Sequence, residues 1–295
     1  GMKTMTTEAI ECIRQRCMVE SYGKATPEEL AQYPAEQTEW VLPMENGDSV
    51  KVYSLNSVGM DGTTPLIIYY HGGGFIKGRL SKDQLFCSRL AVTFHCRVWD
   101  VDYKLAPDYP YPTAVNEAYA VAKYAASHAE ELQIDPEKIL LIGHSAGGNL
   151  VATTCMRAGE TGDFKPCGAI MGYAPVDLYT DPKDKPRRED DMPAEQAQMY
   201  NALYCVPEKA KDPYVSPLFA SEEQLSTFPP ILIFTGGMDS LAAESEELAL
   251  RLARAGVETT CHRFVNSRHG FTLNRWDEWE AGIEHIHRFI RQHLV

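Results

Sequence analysis

From about residue 49 onward, short runs of aliphatic and β-branched residues alternate with stretches whose apolar positions recur every three or four residues. That alternation is the pattern of a doubly wound, mostly parallel α/β sheet. Strands are expected at 66–70, 97–102, 138–142, 168–173, 231–235 and 259–264. Helices are expected at about 82–94, 113–131, from the turn after 142 to about 158, at 241–255 and at 276–293. The 66–70 run is apolar throughout, as in a strand covered on both faces. Ahead of this rhythm, Ile10, Ile13 and Cys17 share one face of a helix expected over about 6–22, and Pro27 suits the first position of a second, short helix. Asn46-Gly47 is a two-residue hairpin signal between strands at 39–43 and 49–54.

The rhythm breaks after Val176. Residues 181–191 are crowded with proline and charge, and 194–204 then reads as a helix, so about 178–211 is an insertion. The expected organisation is N-terminal cap helices within 1–45 and one α/β domain over 46–295 carrying that cap insertion. Both cap segments would lie over the strand ends, where open α/β sheets bind ligands.

Composition narrows the function. With 44% hydrophobic and 23% charged residues the chain is ordinary for a soluble globular protein. No apolar run approaches the ~20 residues that span a bilayer. The opening Gly1-Met2-Lys3-Thr4 lacks the apolar core of a secretory leader, and Gly1 ahead of Met2 reads as an expression scar. The 28 basic and 41 acidic residues give a net charge of −13, which argues against nucleic acid or an anionic membrane as partner. Eight cysteines occur with no C-x-x-C pair. They are expected to be reduced thiols of a cytoplasmic protein, with neither a disulfide framework nor a zinc site. An edge strand and a helix-rich surface leave room for a homodimer.

Two motifs carry chemistry. Gly143-His144-Ser145-Ala146-Gly147 follows the 138–142 strand and opens a helix. In that context G-x-S-x-G is a nucleophile elbow, which lifts the Ser145 hydroxyl clear of the sheet at a helix N-terminus. Side chains at 143 and 147 would collide across so sharp a turn, hence the glycines. His71-Gly72-Gly73-Gly74-Phe75 follows the 66–70 strand, where a glycine-rich loop brings bare backbone N–H groups to a substrate oxygen. It has neither the Lys-Ser/Thr ending of a phosphate-binding P-loop nor dinucleotide-fold spacing.

A serine nucleophile needs a base, and the base a carboxylate to orient it. His269, in Arg268-His269-Gly270-Phe271, lies between the last strand and the last helix. The order Ser, Asp, His places the acid between them. Asp239, just past the 231–235 strand, is the leading candidate, and Asp177, after the preceding strand, is its rival. His71 is expected to fix its loop by hydrogen bonds. His285 and His287, two apart on a helix, do not share a face for a metal.

At this point the chain resembles the hormone-sensitive-lipase-like esterases of the α/β-hydrolase fold, marked by H-G-G-G and G-x-S-A-G-G. The resemblance runs from about residue 66 to the C-terminus through His71–Phe75, 102–108 (Asp-Tyr-Lys-Leu-Ala-Pro-Asp), 143–149, 235–239 and His269-Gly270-Phe271. It implies a triad of Ser145, Asp239 and His269, and oxyanion donors at the N–H groups of Gly72, Gly73 and Ala146. It also implies hydrolysis of short-chain acyl esters under a helical cap, with no metal or cofactor. An amidase, arylformamidase or sugar deacetylase would use the same triad, and a non-catalytic binding relative would lack part of it. Four positions depart from the family's habit: Lys104 for arginine, Asp108 for glutamate, His144 for aspartate and Ser240 for proline.

Overall fold

The computed structural model describes residues 6–17, 22–188 and 191–295. In chain order its elements are α1 (Thr7–Cys17), α2 (Pro27–Ala31), β1 (Ala35–Pro43), β2 (Ser49–Ser57), β3 (Thr64–Tyr70), α3 (Ser81–Phe94), β4 (Arg97–Asp102), α4 (Thr113–Ser127), α5 (Ala129–Leu132), β5 (Ile134–His144), α6 (Ala146–Thr161) and β6 (Gly168–Gly172). After β6 come α7 (Ala194–Tyr204), α8 (Glu222–Ser226), β7 (Ile231–Gly236), α9 (Ala242–Arg254), β8 (Thr259–Phe264), α10 (Phe271–Asn274) and α11 (Trp279–His293). The part of the first expected helix at 18–21 lies outside the described residues.

The strands form one sheet in the order β1-β2-β4-β3-β5-β6-β7-β8. The β1–β2 and β2–β4 pairings are antiparallel and the rest parallel, as the alternating pattern predicts. Strand β1 starts at Ala35 and pairs with β2 along its whole length. The sheet thus begins four residues ahead of the strand expected at 39–43.

Side chains on one strand alternate between two cores. Leu66, Ile68 and Tyr70 of β3 pack with α4, α6 and α9, whereas Ile67 and Tyr69 pack with α3 and α11. Both faces being buried explains why these strands read as unbroken apolar runs. The parallel strands share a direction, so the turns after β3, β5, β7 and β8 open on the same edge of the sheet. That edge collects residues 71–75, 145, 239 and 269.

Candidate active site

Strand β5 ends at His144 and α6 begins at Ala146, so Ser145 alone makes the turn. Its backbone sits at φ 53° and ψ −122°, a sparsely populated region that costs a side-chain-bearing residue roughly 1–3 kcal/mol. The surrounding packing enforces it. The Ser145 N–H donates to the Gly172 carbonyl at 2.8 Å, tying the turn to β6. A Cβ on Gly147 would lie 1.8 Å from the Tyr70 carbonyl oxygen, and one on Gly143 2.2 Å from that of Gly147. Any side chain at either position would force α6 away from the sheet.

The Ser145 hydroxyl donates to His269 Nε2 at 3.0 Å, and His269 Nδ1–H donates to Asp239 Oδ2 at 2.7 Å. The other Asp239 oxygen accepts the Leu241 N–H at 3.0 Å, which fixes the plane of the carboxylate. Burial pushes the His269 imidazole toward its neutral form. The Asp239 charge and hydrogen bond, with Asp191 nearby, outweigh that and leave its pKa above the ordinary value of 6.5. Asp177 does not meet His269. Its Oδ1 accepts the N–H groups of Tyr179 and Thr180 at 3.0 and 2.9 Å, closing its own turn.

Across from the elbow, Gly73 sits at φ 122°, and a Cβ there would lie 2.4 Å from Lys77 Cβ. Among the described residues, the N–H groups of Gly72 and Gly73 meet no protein acceptor. Ala146 begins α6, where amides have no intrahelical acceptor. His71 holds the loop: Nδ1–H donates to the Gly72 carbonyl at 2.7 Å, and the ring stacks on Tyr103 at 4.3 Å. The Tyr103 hydroxyl closes the arrangement by donating to the His71 carbonyl at 2.6 Å.

Two hollows flank Ser145. The larger, about 450 Å³, is walled by Pro182, Met192, Pro193, Ala197 and Tyr200 from the insertion, together with Phe75 and Leu241. The smaller, about 140 Å³, lies against Gly72–Gly74, Tyr173 and Leu273. Tyr22 and Trp276 border the larger one, with rings 5.1 Å apart. Neither was singled out in the sequence, because nothing local marks an aromatic that meets its partner some 250 residues away. Among the described residues, no group of three His, Cys, Asp or Glu side chains is placed to hold a metal ion. None of the described helices is long and apolar enough to cross a membrane.

A family model described as the alpha/beta hydrolase fold matches residues 67–273. An arylesterase of Saccharolobus solfataricus is 32% identical over 209 residues, 70% of this chain and 68% of its own. A carboxylic ester hydrolase of Mycobacterium tuberculosis, LipN, is 31% identical over 79% of this chain and 64% of its own. Among solved structures, a thermophilic carboxylesterase cloned from a metagenomic library superimposes with a TM-score of 0.87 at 29% identity. That match covers 99% of this chain and 100% of the other.

Proposed function

The chain belongs to the α/β-hydrolase family, among its hormone-sensitive-lipase-like esterases, and from that premise we propose that it hydrolyses short-chain acyl esters through Ser145. The hydrogen-bonded line Ser145–His269–Asp239, opening on the larger hollow, is the observation that carries this reading. Neutral His269 takes the hydroxyl proton at Nε2 as Ser145 Oγ attacks the ester carbonyl carbon. Asp239 holds the ring with its other proton at Nδ1 and stabilises the imidazolium that forms. The carbonyl oxygen, now an anion, turns toward the N–H groups of Gly72, Gly73 and Ala146, whose dipoles are in place beforehand. His269 then protonates the departing alkoxide, leaving an acyl group on Ser145. Water, deprotonated by the same ring, releases the acid and restores the serine.

The insertion and the N-terminal helices would act as a cap. The insertion walls that line the larger hollow support this role. The seven cysteines whose side chains are described are free thiols, in keeping with a reading of the cytoplasm as location.

A hollow of limited size accepts added methylenes only while it has room, each worth ~1 kcal/mol in an apolar slot. For soluble esters of graded chain length, kcat/KM should peak at acyl chains of about two to six carbons and fall beyond about eight. Amides of the same acids should turn over far more slowly. A maximum at long chains, with a jump in rate once an oil–water interface forms, would instead mark a true lipase.

A further inference from the structure

Five side chains from separate segments form a buried chain of hydrogen bonds beneath the elbow. Asp83, in the first turn of α3, accepts the Tyr69 hydroxyl at 2.6 Å on one oxygen and the Leu80 N–H at 2.9 Å on the other. The Tyr69 oxygen lies 3.0 Å from His144 Nδ1. His144 Nε2 lies 3.2 Å from Thr272 Oγ1, itself 2.9 Å from the Tyr173 hydroxyl. All five are buried, with His144 only 1% exposed.

Proton counting fixes the directions. Tyr69 has one hydroxyl proton and gives it to Asp83, so its oxygen can only accept from His144. That places a proton on Nδ1 and leaves Nε2 bare to accept from Thr272, whose oxygen in turn accepts from Tyr173. This is the less common imidazole tautomer in water. The groups facing the ring oppose a second proton. Burial among Phe86, Tyr173 and Phe234, with His269 and Lys82 beyond, lowers its pKa to about 3, and the Asp83 carboxylate reaches the ring only through Tyr69. An aspartate, frequent at this position in the family, would face a Tyr69 whose only proton is already committed to Asp83.

The chain joins the two halves of the site. His144 immediately precedes Ser145, and Thr272 lies in α10, the short helix that follows His269. The Tyr173 ring packs edge-on against His269, with centroids 4.9 Å apart, and the neighbouring Gly172 carbonyl holds the Ser145 N–H. We propose that His144, fixed as its Nδ1–H tautomer by Asp83 through Tyr69, is a positioning residue that ties the nucleophile strand to the loop carrying the base. The proposal rests on the reading of Ser145 and His269 as nucleophile and base.

The tautomer can be read directly by nitrogen NMR on wild-type protein with ¹⁵N-labelled histidine and no substrate. That readout stands apart from any test of Ser145. His144 should show a proton on Nδ1 and none on Nε2, unchanged from about pH 5 to pH 9, while an ordinary imidazole titrates near 6.5. The kinetic arm is Thr272→Val, which keeps the shape and removes the link. We expect kcat to fall on the order of 10–100-fold at nearly constant KM, as a small misplacement of reacting groups does. Thr272→Ser, which restores the hydroxyl, should recover most of that loss. A His144 bearing its proton on Nε2, or titrating in that range, overturns the proposal. So does a folded Thr272→Val with wild-type kcat.

Discussion

Replacing Asp239 by asparagine changes one oxygen for an NH₂, and the structure determines which way the amide turns. The Leu241 N–H, 3.0 Å from Oδ1, needs an acceptor, so the amide carbonyl must stay on that side. The NH₂ then occupies the place of Oδ2, now 2.7 Å from His269 Nδ1. Two donors cannot share that gap. The ring escapes by moving its proton to Nε2, where it points at Ser145 and can no longer accept the hydroxyl proton. The charge that would stabilise the imidazolium is lost as well. Together these should lower kcat by roughly 10⁴, about 5 kcal/mol of transition-state stabilisation. Asp177→Asn is the matched control. Its acceptor role toward Tyr179 and Thr180 survives in an amide oxygen, so the loss should stay within about ten-fold. The assay is kcat on a soluble chromogenic acetate ester at pH 8, scaled to folded protein by circular dichroism. An Asp239→Asn protein within ten-fold of wild type, or a larger loss from Asp177→Asn, would refute the reasoning.

Because His269 must be neutral to take a proton and its pKa is raised by Asp239, kcat/KM should decline as pH falls through a limb lying above 6.5. A rate that stays flat from pH 8 to pH 5 would contradict a histidine base. Arg79 Nε lies 2.5 Å from the carboxylate of Asp100, which is wholly buried. Arg79→Met should therefore cost ~3–5 kcal/mol in urea unfolding at pH 8, because a buried charge loses its partner. Burial already raises the Asp100 pKa, so that deficit should shrink at pH 5 as Asp100 takes up a proton. An unchanged urea midpoint at pH 8 would show the pair to be dispensable.

Most of the sheet was legible because its strands are short and buried on both faces, which writes unbroken apolar runs into the chain. The helix expected over 113–131 instead breaks at His128, whose ring stacks on Tyr124 at 3.9 Å. Likewise the last helix does not begin at Trp276. Arg275 and Asp277 take left-handed backbone angles, so α10 and α11 separate around that residue. Period-based reasoning sees neither break, since the apolar spacing continues across both. Ser145, Asp239 and His269 could be singled out because each follows a strand in a distinctive local motif. Asp83, Tyr69 and Thr272 could not, because the links Asp83–Tyr69, Tyr69–His144 and Thr272–His144 span 14, 75 and 128 residues and leave no local trace. His144 stood out in the sequence only as a departure from the family's aspartate. Its partners explain why a histidine fits there.

The central claim, that Ser145 is the nucleophile, is tested most directly by a serine-directed fluorophosphonate followed by peptide mass spectrometry. The expected result is one adduct per chain, on Ser145, formed in step with loss of esterase activity and absent from Ser145→Ala, which should itself be inactive. An adduct on another residue, or a Ser145→Ala protein that still turns over esters at the wild-type rate, would contradict it.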